Sequence, residues 1–236
     1  MMLARILAPC RSTGPVMPET TPQAVRRGRP PLRSREEQMS LLLDAAAQIL
    51  GSGNFANVTM DTIARAAGIS KKTLYQLVAS KEALLSQLVA RDLSTLELLL
   101  ESGIDCAEDL LSELRMYLTL WARLTLSPLA LGLYLMAVQG RETAPDIARI
   151  WYQEGAERCL GLLRSWLDKA AGKGLLVQED VEPAVELIDA LLISQPLKLF
   201  TLGVQQSWSD EQIGRRVDVA LGMFGRCFIQ HESESG

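Results

Sequence analysis

The segment from Thr59 to Leu85, TMDTIARAAGISKKTLYQLVASKEALL, constrains the fold more than any other part of the chain. Its apolar residues recur every three or four positions, which is the spacing of an α-helix. Thr59 and Ser70 are good N-cap residues, and Gly68 stands where a helix that ends needs a left-handed residue. Only Gly68 and Ile69 separate the two helical patterns. The segment therefore predicts two short helices that meet at a tight turn.

Two short helices joined by a Gly-containing turn are the pattern of a helix-turn-helix. In the second helix Leu74 and Leu77 are expected to face the core, while the polar residues face outward. Such a helix fits the major groove of DNA and presents its first turn to base edges. A single lysine at such a position is more often a solvated surface residue than a DNA contact. Together the lysines favour contacts with DNA: Lys71, Lys72 and Lys81.

Charge is distributed unevenly along the 236 residues, although the net charge is only −4. Residues 24–91 carry ten basic and five acidic side chains, whereas residues 92–236 carry 12 basic and 22 acidic ones. A basic part on an acidic body predicts that one end of the protein meets nucleic acid.

The basic arm VRRGRPPLRSR, residues 25–35, adds a second candidate for DNA contact. One interpretation is that Arg27 and Arg29 enter a narrow, A·T-rich minor groove, where the potential is most negative. The alternative is a basic, disordered tail that contacts phosphates without sequence preference. The sequence is compatible with both interpretations of the arm.

Helical periodicity continues through the rest of the chain, and alternating strand patterns are missing, so the predicted class is all-α. Ser34 with Glu37, and Ser209 with Gln212, have capping-box spacing. Ser127-Pro128 is a typical helix start. After the first three helices, the predicted helices are Lys81 to about Glu101, 105–126, 128–139, 143–171, 180–202 and 209–230.

Several function classes are disfavoured by what the sequence lacks. His231, the sole histidine, lies in a polar tail, so nucleophile–histidine catalysis and His-rich metal sites are not expected. Nucleotide-binding glycine motifs are absent. The longest strongly apolar run, Leu129–Val138, is too short to cross a bilayer. We therefore expect no enzyme, cofactor, metal or membrane contact, and a cytoplasmic location at the nucleoid. The widely spaced cysteines are expected to be reduced structural thiols, with a redox sensor as the alternative: Cys10, Cys106, Cys159 and Cys227.

The helix-turn-helix segment resembles the DNA-binding signature of the TetR family of transcriptional regulators. Three motifs carry the resemblance: T-x-x-x-I-A-x-x-A-G from Thr59, S-x-x-T-L-Y from Ser70, and S-K-E-x-L from Ser80. The family usually has aromatic residues or histidine after the tyrosine, whereas this chain has Gln76, Leu77 and Val78. Leu and Val are able to fill the same core volume. The stretch 141–158 faintly resembles the AefR-like subset.

The resemblance implies roles for individual residues. Thr59 corresponds to a phosphate contact, the first residues of the recognition helix lie at the groove, and Tyr75 and Lys81 meet the DNA backbone. It also implies a homodimer on a near-palindromic operator, with recognition helices roughly 34–36 Å apart or a multiple of that. The full predicted DNA-binding set is Arg27, Arg29, Thr59, Ser70, Lys71, Lys72, Thr73, Tyr75, Gln76 and Lys81.

The body is expected to hold a largely apolar small-molecule effector and a dimer surface, as in members of the family. Plain core packing is the competing explanation for every residue named. The predicted pocket residues are Met116, Trp121, Tyr134, Met136, Trp151 and Trp166. The predicted dimer residues, from two apolar stripes, are Leu187, Leu191, Ile213, Val217, Leu221, Phe224 and Phe228.

These expectations divide the chain into three parts: a disordered basic arm (1–33), a helix-turn-helix DNA-binding domain (34–79), and a helical ligand-binding and dimerisation domain (80–232). The predicted function is a ligand-responsive repressor. The alternative is a DNA-bound protein of the same fold that recruits a protein partner without a small-molecule inducer, which a body without a cavity would favour.

Overall fold

The computed structural model describes residues 33–52, 58–99 and 104–229, and within them the predicted all-α fold is confirmed. Two π-helical segments, Ile150–Ala156 (π1) and Ala190–Ser194 (π2), interrupt α-helices without a break in the chain. The arm residues Arg27 and Arg29 lie outside the described residues. The elements in chain order are α1 (Arg35–Gly51), α2 (Met60–Ala66), α3 (Lys71–Leu77), α4 (Lys81–Leu99), α5 (Ala107–Thr125), α6 (Pro128–Gln139), α7 (Pro145–Arg149), π1 (Ile150–Ala156), α8 (Glu157–Gly172), α9 (Glu182–Asp189), π2 (Ala190–Ser194), α10 (Gln195–Thr201) and α11 (Asp210–Phe228).

Side-chain caps begin the helices where the sequence predicts them. At α1 the Ser34 hydroxyl accepts from the Glu37 N–H at 3.1 Å, and the Glu37 carboxylate accepts from the Ser34 N–H at 2.7 Å. Ser209 and Gln212 form the same reciprocal pair at α11. Ser127 caps α6, which has Pro128 in its first turn. Each of these caps satisfies backbone donors that the first helical turn leaves free.

The predicted long helices 143–171 and 180–202 are each interrupted by a π-helical segment, which the sequence analysis missed. In π1 and π2 the backbone is wider than in an α-helix, because each N–H bonds one residue further back. Pro196 lies just after π2 and has no N–H, so it removes one α-helical hydrogen bond at that point. A pattern read at 3.6 residues per turn does not show such insertions.

Two clusters of buried apolar residues hold the fold together. The head cluster joins α1, α2, α3 and the first half of α4 to residues of α6 and α7. The body cluster joins the second half of α4 to α5, α8, α9 and α11. Leu85 lies in the first cluster and Leu96 in the second, so α4 connects the two. The predicted boundary between residues 79 and 80 stays a prediction, and the described residues from Ser34 onward belong to one compact unit.

The described residues contain one β-type pairing, an antiparallel bridge between Leu176 and Ile229 that ties the α8–α9 connection to the end of α11. Among the described helices, none is by itself long and apolar enough to cross a membrane. Taken as a pair, α5 and α6 reach that length and composition, but their axes are bent by 59°.

Candidate nucleic-acid interface and internal cavity

The turn between α2 and α3 has the geometry that the sequence predicts. Gly68 has φ +65°, and the Ile69 N–H donates to the Ala64 carbonyl at 3.1 Å. This closes α2 in the manner of a Schellman motif. Ser70 then begins α3, since its hydroxyl accepts from the Thr73 N–H at 3.0 Å. The turn thereby sets the direction of α3 against α2.

Helix α3 is divided into a buried and an exposed face. Leu74 is 1% exposed and packs in the head cluster, together with Leu77 and Val78. The two aliphatic residues after the predicted recognition motif therefore do fill core volume. The opposite face is polar and accessible, and Tyr75 is 56% exposed. The predicted contact residues of α3 share this face or its edge: Lys71, Lys72, Thr73, Tyr75 and Gln76.

The two lysines at the start of α3 have different surroundings. Lys71 Nζ donates to Asp61 Oδ2 at 2.6 Å, and this ion pair links the first turns of α2 and α3. Lys72 is exposed and has no ion pair or hydrogen bond with another described residue. Lys72 is therefore free to bind an anion, whereas Lys71 has to leave a carboxylate first. The sequence analysis did not foresee this pair, because the pattern within one helix does not show which side chains of another helix lie beside it.

The remaining predicted contacts flank α3. Thr59 is exposed and caps α2, with its hydroxyl accepting from the Thr62 N–H at 3.2 Å. Lys81 begins α4, and burial lowers the pKa of its ammonium group, an effect that the neighbouring Glu82 partly offsets. A partly desolvated cation gains more from a phosphate than a fully hydrated one does. Arg35 of α1 donates to the Gln76 carbonyl at 3.4 Å and so holds the end of α3.

A partly open cavity of about 270 Å³ lies in the body beneath the head. Its wall is built from α4, α5, α6, π1, α8 and the α9–α10 region, and it is mostly apolar. Leu88 and Leu133 line the cavity and also belong to the head cluster. The cavity and the core of the head therefore share side chains.

Two of the six residues predicted to line a pocket, Trp121 and Trp151, lie on the cavity wall. Tyr134 packs against Trp151 with ring centroids 4.8 Å apart and ring planes tilted by 48°, and the Thr201 hydroxyl donates to the Tyr134 hydroxyl oxygen at 3.2 Å. The other three predicted residues do not line the cavity: Met116 is on the surface, Met136 is in the head cluster and Trp166 is in the body cluster.

Two acidic residues of the wall, Asp92 and Asp189, were not foreseen by the sequence analysis. A signal for them exists in the chain. Asp92 stands four residues from Leu88 and from Leu96, both buried, and so occupies the apolar stripe of α4. Asp189 stands in the same relation to Val185 and Ile193. A charged residue inside an apolar stripe marks a site where a helix faces a cavity or a partner.

Cys159 also lines the cavity. Burial raises the pKa of its thiol to about 12, and its carbonyl accepts from the Tyr117 hydroxyl at 2.6 Å. The thiol is therefore protonated at neutral pH and unreactive, as a structural cysteine is.

Most of the residues predicted to form the dimer surface are taken up by the protomer itself. Four residues of α11 are buried in the body cluster: Ile213, Val217, Leu221 and Phe224. Leu187, Leu191 and Phe228 are partly buried. The apolar residues that do reach the surface nearby are Val204 (69% exposed), Val219 (54%) and Met223 (40%). The sequence pattern shows that a face is apolar, but it does not show which neighbour covers it.

Two protein-family models match the chain and together cover most of its described residues. Residues 112–229 match the model described as AefR-like transcriptional repressor, C-terminal domain. Residues 42–88 match the model of bacterial regulatory proteins, tetR family. The chain belongs to the TetR family. It is thus a DNA-binding transcriptional regulator, and the resemblance stated from its motifs is confirmed.

Individual TetR-family relatives are similar over different lengths. The HTH-type transcriptional regulator EthR of Mycolicibacterium smegmatis is 36% identical over 69 residues, which span 29% of this chain and 30% of that protein. A TetR-family regulator structure from Mesorhizobium loti covers 84% of this chain and all of its own, with TM-score 0.68 and 21% identity. The flavonoid-responsive regulator FrrA covers 83% of this chain and 99% of its own, with TM-score 0.58 and 24% identity. At these identities the two structures show the shared fold.

Proposed function

We propose that this TetR-family regulator is a ligand-responsive repressor that binds a near-palindromic operator as a homodimer in the cytoplasm. The observation that carries the proposal is the cavity beneath the head. Its wall includes Leu88 of α4, the helix that directly follows the recognition helix in the chain. The alternative, recruitment of a protein partner without an inducer, gains nothing from a cavity of this kind. The proposal includes no catalytic step.

The mechanism follows from the shared side chains. Leu88 and Leu133 contact the cavity on one side and the head cluster on the other. A small molecule that fits the cavity in only one arrangement of α4 stabilises that arrangement. Operator affinity falls if the favoured arrangement presents the two heads at the wrong spacing. A ligand that bound both arrangements equally would have no effect.

The DNA contacts proposed for the head are the accessible residues around α3. Lys72 is the cation without a partner among the described residues, Tyr75 contacts the DNA backbone, and Thr59 and the partly buried Lys81 contact flanking phosphates. Arg27 and Arg29 are proposed as additional contacts from the arm. Two such heads on one face of DNA would read half-sites roughly 34–36 Å apart or a multiple of that.

The dimer surface is proposed on the exposed side of α11. Val219 and Met223 are exposed there, and Leu191 lies beside Val219 in a surface depression. Exposed apolar residues grouped in this way are typical of protein–protein interfaces. Val219→Glu/Met223→Glu is expected to convert the dimer to a monomer in sedimentation experiments. Leu98→Glu, at a residue 67% exposed on α4, serves as the matched control and should leave the mass unchanged.

Selection of genomic DNA fragments by the purified full chain at physiological salt tests the DNA-binding part of the proposal. An enriched near-palindrome with half-sites about one turn apart supports it. A variant with Lys71, Lys72 and Thr73 changed to alanine keeps the buried face of α3 and is expected to enrich nothing. Enrichment of A·T-rich DNA alone, with the same result for the variant, would contradict a reading role for α3.

A further inference from the structure

The cavity wall carries two carboxylates on an otherwise apolar surface. Asp92 comes from α4 and Asp189 from the end of α9. Among the described residues that line the cavity, there is no lysine, arginine or histidine. Arg158 precedes the lining residue Cys159 in α8, but its side chain already forms an ion pair with Glu97. The described lining residues therefore carry two negative charges and no positive one, and the cation adjacent to them is Arg91, next to Asp92 in the chain.

The partners of these carboxylates leave their charge poorly balanced. Asp189 accepts a hydrogen bond from the Ser194 hydroxyl at 2.5 Å, which is a neutral donor. Asp92 Oδ1 is 3.8 Å from Arg91 Nε, a long ion pair. The same guanidinium is committed to α1, where Arg91 Nη1 donates to Asp44 Oδ1 at 2.7 Å. Burial raises the pKa of Asp92, and the attraction of Arg91 only partly opposes it. A carboxylate in this state gains from a cation that enters the cavity.

The rest of the wall suits a flat apolar body. Trp121 and Trp151 contribute aromatic rings, and aromatic faces attract cations as well as apolar groups. Both π-helical segments line the cavity, through Tyr152 of π1 and Ile193 of π2 among others. Interruptions of this kind inside α-helices occur frequently at functional sites. A volume of about 270 Å³ lies just below the usual range for small-molecule pockets, about 300–1,000 Å³, so the ligand is expected to be small.

We propose that the effector is an amphipathic organic cation, whose amine or quaternary ammonium group is held by Asp92 and Asp189 while its apolar body contacts Trp121 and Trp151. This rests on the proposed function, because it names the chemistry of the ligand for the same cavity. This proposal departs from the earlier expectation of a largely apolar effector: the body is still apolar, but the head group is positive. A neutral hydroxyl is able to donate to these carboxylates, but it does not balance their charge.

The test is isothermal titration calorimetry of the full chain with three probes that share a 2-naphthylmethyl body. The probes carry a trimethylammonium group, a hydroxyl group or a carboxylate group. We expect the ammonium probe to bind at least tenfold more tightly than the alcohol, and the carboxylate to bind most weakly. In Asp92→Asn/Asp189→Asn the ammonium probe should fall to the affinity of the alcohol, while the alcohol itself stays within twofold.

A matched control separates this site from bulk charge. Asp105→Asn/Asp168→Asn removes the same two charges from exposed positions and should leave the ammonium probe unaffected. The cation proposal is overturned if the alcohol binds as tightly as the ammonium probe, if none of the probes binds, or if the cavity variant keeps its affinity for the ammonium probe.

Operator binding in the presence of each probe separates this proposal from the proposed function. If the calorimetric pattern holds but the ammonium probe leaves operator affinity unchanged, the cation site stands and the ligand-responsive repressor falls. If operator affinity responds to the alcohol or the carboxylate but not to the ammonium probe, the regulator stands and the cation falls.

Discussion

Lys72→Ala provides the sharpest test of how the head meets DNA. Lys72 is exposed and without a partner among the described residues, whereas its neighbour Lys71 is tied to Asp61 by an ion pair of 2.6 Å. Breaking an exposed pair of that kind costs about 0.2–1 kcal/mol. A phosphate contact by Lys71 therefore contributes less net binding free energy than the same contact by Lys72. We therefore expect Lys72→Ala to weaken operator binding more than Lys71→Ala does.

The size of the effect follows from counterion release. Each phosphate contact contributes about −0.9 to the slope of log affinity against log salt, so a homodimer that loses two contacts changes its slope by about 1.8. Between about 50 and 200 mM salt, the wild type should then lose about 12-fold more affinity than Lys72→Ala. Asp61→Asn should act in the opposite direction, because it frees Lys71 and removes a negative charge: tighter binding at low salt and a steeper slope.

Fluorescence anisotropy of a labelled operator at several salt concentrations measures both quantities. Circular dichroism checks that the helices are intact. Lys169→Ala, at an exposed position on α8, is the control and should change neither affinity nor slope. If Lys72→Ala keeps the wild-type affinity and slope, Lys72 is not a contact, and the reasoning from its free side chain is refuted.

Four further predictions concern the turn, the body and the cavity. Gly68→Ala should lower the free energy of unfolding by about 1 kcal/mol, since φ is +65° there and no neighbouring atom is close enough to clash; urea titration measures this, and wild-type stability would contradict it. Tyr117→Phe should cost about 1 kcal/mol in the same assay, because the Cys159 carbonyl loses a buried donor. At pH 8 iodoacetamide should label the exposed Cys227 in the native protein and Cys159 only after unfolding, because the Cys159 thiol, with its pKa raised to about 12, stays protonated; native labelling of Cys159 would refute this. Arg91→Gln should tighten binding of the ammonium probe a few-fold, since a competing charge 3.8 Å away is worth about 1 kcal/mol in a water-like medium; weaker binding would argue against an electrostatic role for the cavity carboxylates.

Local chemistry made the head predictable from sequence. The caps at Ser34 and Ser70 and the left-handed turn at Gly68 depend on residues at most a few positions apart, and all three are found as predicted. The side-chain pair of Lys71 and Asp61 joins two helices across the turn, and periodicity within one helix carries no information about it.

The body was less predictable, because its site is assembled from distant parts of the chain. Trp121 and Trp151 lie on the cavity wall, and large aromatic residues often line such sites. Trp166 belongs to the same residue class but packs into the body cluster. Composition does not distinguish a wall from a core. The apolar stripe containing Val217 and Phe224 packs into the protomer's own core. Periodicity shows that the stripe exists, but whether it faces the core or a partner depends on how the helices pack.

The proposed coupling through Leu88 and Leu133, which touch both the cavity and the head cluster, would also affect the dose response to an effector. Linkage between two sites is reciprocal, so a small molecule that weakens operator binding by some factor is bound more weakly by the operator-bound protein by that same factor. The operator-bound protein therefore needs a higher concentration of the small molecule for half-saturation than the free protein does. The small-molecule concentration that relieves repression would depend on the ratio of operators to regulator molecules in the cell, as well as on the affinity of the cavity.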